Sequence, residues 1–159
     1  MKKTSCEQER KMIARGNHEE IMAYIAEHNL EDDAQIALIQ RGNHEEIMRY
    51  ISEHNDFSAQ AQKALVLHGN HEEIMASIFD FGLDEEAELA LIHRGQHEEI
   101  MHYVSDNRMV EKAELALIAR GNHEEIMAYI TNFWFSDRAE DAFYARGNQE
   151  EIRAYDDKA

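Results

Sequence analysis

The amino-acid sequence predicts an all-α protein, a right-handed-type α-solenoid of about five to six stacked helix-turn-helix repeats with polar capping ends. Three observations predict this fold. A heptapeptide recurs at near-constant intervals, the segments between its copies carry apolar residues at helical spacing, and the 159 residues contain no proline. Average proline usage would place about eight in such a chain, so turn-rich all-β folds are disfavoured.

The heptapeptide marks one repeat each time it occurs. The string Gly-Asn-His-Glu-Glu-Ile-Met, with Gln for Asn in one copy and a degenerate last copy, begins at Gly16, Gly42, Gly69, Gly95, Gly121 and Gly147. The glycines are 26, 27, 26, 26 and 26 residues apart. This regularity predicts a single helical-repeat domain over residues 1–159, with a capping helix at 4–15, a repeat body at 17–135 and a capping repeat at 136–159.

The first helix of each repeat precedes the glycine. Segments 33–41 and 86–94 carry Ala, Leu and Ile at helical spacing and end in arginine. The glycine that follows Arg41, Arg94 or Arg120 is typical of the left-handed residue that ends a helix, and the arginine complements the helix dipole. We expect these glycines to be structural.

The second helix begins just after the glycine. An asparagine stands at the N-cap position, and a glutamate three residues later has the spacing of a reciprocal capping box. The caps are Asn17, Asn43, Asn70 and Asn122, and the paired glutamates are Glu20, Glu46, Glu73 and Glu125. Isoleucine, methionine and tyrosine then form one apolar stripe, as in residues 21–25, which predicts that the methionine and tyrosine columns belong to the core.

Two helices of about ten residues bury too little apolar surface to fold alone, so neighbouring hairpins must stack. The ends of such a stack need polar outer faces. Polar residues indeed replace the apolar columns at both ends of the chain, namely Gln8, Arg10, Lys11, Asp141, Arg153 and Asp156.

The repeated Arg-Gly-Asn-His-Glu-Glu-Ile-Met signature lies in helical hairpins that resemble, in architecture, the tetratricopeptide and HEAT-type repeats. The period of 26 is shorter than the ~34 and ~40 residues of those families. The tetratricopeptide Trp/Leu-Gly/Tyr pattern and its proline are also missing from this chain. The resemblance implies an interaction scaffold.

The net charge of the chain limits the kinds of partner that it is expected to bind. The chain has 16 Lys and Arg against 33 Asp and Glu, a formal net charge of -17. Such a charge argues against direct binding to nucleic acid or to anionic membranes and favours a basic protein partner. The single cysteine, Cys6, and the lack of an apolar stretch behind the first lysines lead us to expect a cytoplasmic protein.

The histidine and glutamate columns do not have the spacing of a catalytic or metal site. A zinc-protease motif needs a second histidine four residues after the first, where this chain has methionine in every copy, as at Met22 after His18. Periodic carboxylates also differ from a facing catalytic pair. We expect no enzyme activity, no catalytic residues, no cofactor and no metal. Instead we expect each repeated histidine to contact the neighbouring repeat, and each arginine before a glycine to bridge to a neighbouring repeat.

Residues that depart from the repeat are candidates for partner contact. Aromatic residues are enriched at binding hot spots, although the aromatic residues near the C-terminus could equally cover the last interface between repeats. The aromatic candidates are Phe79, Phe81, Phe133, Trp134 and Phe135. The acidic candidates are the first glutamates of four pairs, Glu45, Glu72, Glu98 and Glu124.

Three functions are compatible with these observations. The first is a non-enzymatic module that binds a basic protein through its acidic repeat surface. The second is an acidic mimic that inhibits a nucleic-acid-binding protein, because -17 along a rod of about 50 Å approaches the charge spacing of a single nucleic-acid strand. The third is an engineered scaffold, which the near-identical heptapeptides favour.

Overall fold

The computed structural model describes residues 5–78 and 82–158, and this part of the chain forms twelve α-helices and no β-strand. Their bounds are α1 Cys6–Arg15, α2 His18–Glu27, α3 Asp32–Arg41, α4 His44–Glu53, α5 Ala59–His68, α6 His71–Ile78, α7 Glu85–Arg94, α8 His97–Asp106, α9 Glu111–Arg120, α10 His123–Asn132, α11 Asp137–Arg146 and α12 Gln149–Asp157. The predicted all-α class of stacked helical repeats is confirmed.

The helices form two compact units, Met1–Ala87 and Glu88–Ala159. In the first unit α1, α3 and α5 pack in one row, and α2, α4 and α6 pack in a second row. In the second unit α9 packs on α11, while α8, α10 and α12 form a row. Within each unit, these helices therefore contact the equivalent helix of the next repeat. The handedness of the stack and the single-domain organisation stay predictions.

Asparagine caps begin the second helices, as predicted. The side-chain oxygens of Asn17, Asn43, Asn70 and Asn122 each accept a hydrogen bond of 2.9–3.1 Å from the backbone N–H three residues later. Gln96, in the same place of the fourth motif, makes no side-chain cap bond. The short asparagine side chain suits this cap, since its amide oxygen reaches the first-turn donors without a further methylene.

The motif glycines have two different conformations. Gly42, Gly95 and Gly121, which follow the three arginines, have the predicted left-handed backbone with φ of +72°, +85° and +73°. Gly16 and Gly69 do not, because their φ values are -69° and -72°. At these two positions glycine is needed for space, since a Cβ atom would lie 2.5–2.6 Å from the carbonyl oxygen four residues earlier.

Both rows of helices contribute to the core. The first helices bury an apolar pair four residues apart, one turn of the helix. These pairs are Ala34 and Leu38, Ala61 and Leu65, Ala87 and Leu91, Ala113 and Leu117, and Ala139 and Phe143. The second helices bury their tyrosines, as predicted, at Tyr24, Tyr50, Tyr103, Tyr129 and Tyr155. The methionine column is only half-buried, because it lies one residue, or about 100° of helix rotation, beyond the buried isoleucine.

The polar residues predicted at the two ends of the chain are exposed. Gln8, Arg10 and Lys11 lie on the surface of α1, and Asp141, Arg153 and Asp156 lie on the surface of α11 and α12. The predicted capping helix at 4–15 corresponds to α1, whose N-cap is Ser5. Among the described helices none has the length and apolar run that a membrane span requires.

Candidate functional site

In every motif after the first, the two glutamates of the pair have opposite environments. We call the first of each pair a surface glutamate and the second a buried glutamate. Side chains of the surface glutamates Glu45, Glu72, Glu124 and Glu150 are 72–75% exposed, and Glu98 is also exposed. The buried glutamates Glu46, Glu73, Glu99, Glu125 and Glu151 are at most 4% exposed. One helical step of about 100° turns the first side chain to solvent and the second toward the preceding repeat.

In four of the described motifs, a histidine of the preceding repeat contacts both glutamates of the pair. In the second unit, His123 Nδ1 lies 2.7 Å from Glu151 Oε2 and His123 Nε2 lies 3.5 Å from Glu150 Oε2. We call each such set of one histidine and two glutamates a clasp. The others described are His18 with Glu45 and Glu46, His44 with Glu72 and Glu73, and His97 with Glu124 and Glu125. The predicted contact of these histidines with the neighbouring repeat is confirmed.

An arginine binds the buried glutamate of three clasps. Arg41 Nε donates to Glu46 Oε1 at 2.8 Å, and Arg120 and Arg146 contact Glu125 and Glu151 in the same way at 2.6 and 2.8 Å. Arg120 and Arg146 also donate through Nη2 to the carbonyls of Gly95 and Gly121, one repeat earlier. The predicted arginine bridge between repeats is therefore confirmed in the second unit.

The reciprocal capping box occurs where this arginine is absent. His68 replaces the arginine before Gly69, and there the Asn70 backbone N–H donates to Glu73 Oε1 at 3.2 Å. The box predicted at Glu46 and Glu125 was wrong in one of its two hydrogen bonds, the one from the asparagine backbone N–H to the glutamate carboxylate. Their carboxylates bind arginine and histidine instead, because charge-assisted hydrogen bonds are stronger than one from a neutral backbone N–H.

The carboxylates raise the pKa of all four clasp histidines above the ordinary value of 6.5. The hydrogen bond to the buried glutamate is the largest cause in each case, and burial of the ring opposes it. Interaction with the surface glutamate raises the pKa further, while Arg41 and Arg146 lower the pKa of His18 and His123. The environment therefore favours the imidazolium form.

A second row of carboxylates, which sequence reasoning missed, binds the buried tyrosines. Tyr129 OH donates to Glu114 Oε2 at 2.5 Å, and Ser136 N–H donates to Glu114 Oε1 at 3.0 Å. Equivalent tyrosine–glutamate pairs are Tyr24 with Glu9, Tyr103 with Glu88, and Tyr155 with Glu140. All four pairs are 15 residues apart, a spacing that the sequence displays. Burial and the carboxylate together raise the pKa of Tyr129.

One repeat replaces this glutamate by glutamine and supplies the carboxylate from a loop. Gln35 stands 15 residues before Tyr50, and Tyr50 OH donates instead to Asp56 Oδ1 at 2.6 Å. Gln35 Oε1 still accepts the Ser58 N–H at 2.8 Å. Asp56 lies in the repeat that has the additional residue. The longer loop therefore carries the group that the glutamine lacks.

The aromatic candidates have different degrees of burial. Phe135 is 6% exposed and packs on Phe143 and Tyr155, so it belongs to the core. Phe133 stacks on Tyr129 and is half-buried. Trp134 is 44% exposed, with Lys158 Nζ 4.1 Å from its ring centroid. Phe79 and Phe81 lie outside the described residues.

A groove of about 380 Å³ lies between α1 and α3, lined by Arg10, Ala14, Asp33, Ile36, Ala37, Gln40 and Arg41. No group of three or more His, Cys, Asp or Glu side chains suited to one metal ion occurs in residues 5–78 and 82–158. The chain matches no protein-family model, no curated protein and no solved structure. Its function is therefore inferred from geometry and charge.

Proposed function

We propose that this protein is a non-enzymatic repeat module that binds a basic protein through its surface glutamates. The observation that carries the proposal is the 72–75% exposure of Glu45, Glu72, Glu124 and Glu150, beside buried glutamates that serve the contact between repeats. The motif thus uses one carboxylate for the fold and leaves the other accessible.

The arrangement of the surface glutamates supports a partner with several cations. Equivalent residues of stacked helices are about 8–10 Å apart, so neighbouring surface glutamates of one unit form a regular row. Each lies in the first turn of its helix, beside the positive end of the helix dipole. Lysine or arginine side chains of a partner suit this row, since exposed charges act mainly through electrostatic complementarity.

Trp134 is the candidate aromatic anchor among the described residues. Its ring is 44% exposed, whereas Phe135 is covered by the last repeat. Lys158 occupies one face of the indole, which leaves the exposed remainder of the ring for a partner. An amphipathic ring of this kind suits the edge of an acidic interface.

The proposal is tested by titrating a fluorescein-labelled oligolysine peptide against two variants that lose the same charge. The first variant is E45Q/E72Q/E124Q/E150Q, which neutralises two surface glutamates in each unit. The second, E27Q/D33N/D106N/D141N, neutralises two other exposed carboxylates in each unit. We expect the first variant to bind at least about tenfold more weakly, a loss of about 1.4 kcal/mol, and the second to keep nearly all of its affinity.

Equal losses in the two variants would show that only net charge matters and would contradict the proposal. The same titration at about 50 mM and about 300 mM salt checks that the binding is electrostatic, because the screening length shortens over this range.

The variant W134A is titrated with the same peptide to test the aromatic anchor. Unchanged affinity would remove Trp134 from the binding surface.

A further inference from the structure

Each clasp places an imidazole between two groups that only accept hydrogen bonds. The His97 Nδ1 and Nε2 atoms lie 2.6 Å from Glu125 and 3.3 Å from Glu124. A neutral imidazole has one N–H and one lone pair, whereas the protonated ring donates from both nitrogens. In the neutral ring with its hydrogen on Nδ1, the Nε2 lone pair would face the carboxylate of the surface glutamate.

In the His123 clasp, an arginine binds both oxygens of the buried glutamate. The guanidinium of Arg146 donates to Glu151 through Nε at 2.8 Å and through Nη2 at 3.2 Å. Arginine stays charged at all accessible pH values and can only donate, so both Glu151 oxygens act as hydrogen-bond acceptors. The proton of this clasp therefore belongs on His123.

The charges of a clasp that contains an arginine balance only when the histidine is protonated. Around His18 they are the carboxylates of Glu45 and Glu46 from α4 and the guanidinium of Arg41 from α3. With an imidazolium the four charges sum to zero, and without it one negative charge is left between the repeats. The His44 clasp, which has His68 in place of the arginine, has one cation fewer.

We propose that the clasps respond to protonation, so that the imidazolium holds consecutive repeats together and its loss of the proton loosens their contact. This inference concerns the packing of the repeats and does not depend on the proposed function. It rests on the contact of 2.6–2.8 Å from ring Nδ1 to the buried glutamate, which recurs at His18, His44, His97 and His123.

The direction of the pH effect follows from the raised pKa of each clasp histidine in the folded chain. A group with a raised folded pKa contributes its full stabilisation below the unfolded pKa, near 6.5, and loses it as the pH rises through the folded pKa. The charged groups that face the other three clasp histidines are as follows. His44 faces Glu72 and Glu73, and His97 faces Glu124 and Glu125, the latter also bound by Arg120. His123 faces Glu150, Glu151 and Arg146. Stability is therefore expected to fall from mildly acidic toward alkaline pH.

The experiment compares H123Q with the matched control H93Q in the full chain. Gln149 occupies the position equivalent to His123 in the last motif, where it begins α12, so glutamine suits this helix position. Its amide NH2 group can still donate a hydrogen bond but cannot gain a proton. His93 is exposed at the end of α7 in the same unit, so H93Q removes a histidine without changing a clasp.

The urea midpoint of unfolding is measured by circular dichroism from about pH 5.5 to about pH 8.5, a range that brackets the ordinary histidine pKa. We expect the midpoints of the wild type and H93Q to fall in parallel as the pH rises, and that of H123Q to fall less steeply. The parallel control matters because the large net negative charge also weakens the folded state on alkalinisation. Identical slopes for H123Q and the wild type would overturn the proposal.

A direct measurement of the imidazoles gives a second test. Nitrogen NMR shifts of the clasp histidines should show both ring nitrogens protonated at about pH 6, with titration above the ordinary histidine pKa. A neutral His123 ring at that pH would overturn the proposal even if the variants were too unstable to compare.

Discussion

At the residue scale, the two adjacent glutamates of one motif have different roles. Glu124 and Glu125 differ by one step along α10, yet one is largely exposed and the other has no exposed surface. Glu125 accepts hydrogen bonds from Arg120 and from His97, which makes it the shared anion of two cations. The same substitution of glutamine for glutamate should therefore change the stability by different amounts at the two positions.

We expect E125Q to lower the free energy of unfolding by about 3 kcal/mol, because it leaves Arg120 and His97 beside an uncharged, buried partner. E124Q should lower it by no more than about 1 kcal/mol, the range of an exposed ion pair. Urea unfolding of both variants at neutral pH measures the difference. Equal losses would contradict the assignment of Glu125 as the structural carboxylate of its pair.

At the element scale, the sequence predicted the helices and their caps because the signals are local. Asn43 and Gly42 act on the helix ends beside them, so their roles could be recognised from a few neighbouring residues. The hydrogen-bond partner of each carboxylate was harder to predict. Whether Glu46 caps its own helix or binds His18 depends on Arg41 and on the packing of the previous repeat, which spacing alone does not give.

The tyrosine–glutamate pairs were missed although their spacing is visible in the printed sequence. Glu114 and Tyr129 lie on two helices of one hairpin, and helical periodicity within either helix does not connect them. The two exceptions fit the same rule. Where Gln35 replaces the glutamate, Asp56 supplies the carboxylate for Tyr50. Gln62 stands 15 residues before Ser77, so that repeat has no tyrosine that needs a carboxylate. Comparison of whole repeats would have found this pattern.

Asp56 supplies the carboxylate that Gln35 lacks, so the effect of Q35E on stability is expected to change sign when Asp56 is removed. D56A removes the acceptor of Tyr50 OH and should cost about 1.5–3 kcal/mol, the range of a hydrogen bond to a charged group. Q35E alone should also destabilise, because it places a second carboxylate near Asp56. In the D56A background, Q35E should stabilise, since the new carboxylate restores the pairing used in the other repeats.

A double-mutant cycle of the four proteins, measured by urea unfolding, determines the coupling between the two positions. Simple addition of the two single effects would mean that Gln35 and Asp56 do not substitute for one missing glutamate.

At the scale of the whole molecule, the excess of negative charge opposes the fold. The chain has 33 acidic against 16 basic residues, and several arginines and histidines already serve buried glutamates. The remaining surface repels itself. Dissolved salt weakens this exposed repulsion more than it weakens the partly buried clasps, since buried charge pairs are screened less.

We therefore expect the melting temperature to rise by about 2–4 °C when salt is increased from about 10 mM to about 150 mM. Scanning calorimetry with sodium chloride at constant pH makes the measurement, and E45Q/E72Q/E124Q/E150Q should show a smaller rise than the wild type. A steady fall of the melting temperature with salt would instead mean that screened attractions outweigh the surface repulsion.

The clasps also bear on how the chain reaches its folded state. Their histidine–glutamate bonds join residues 28 or 29 positions apart, and the tyrosine–glutamate bonds join residues 15 apart. Closing a loop of this length costs little chain entropy and takes place rapidly. A nascent chain can thus complete the first clasp as soon as two repeats have been synthesised, and each later repeat can add to the one before it.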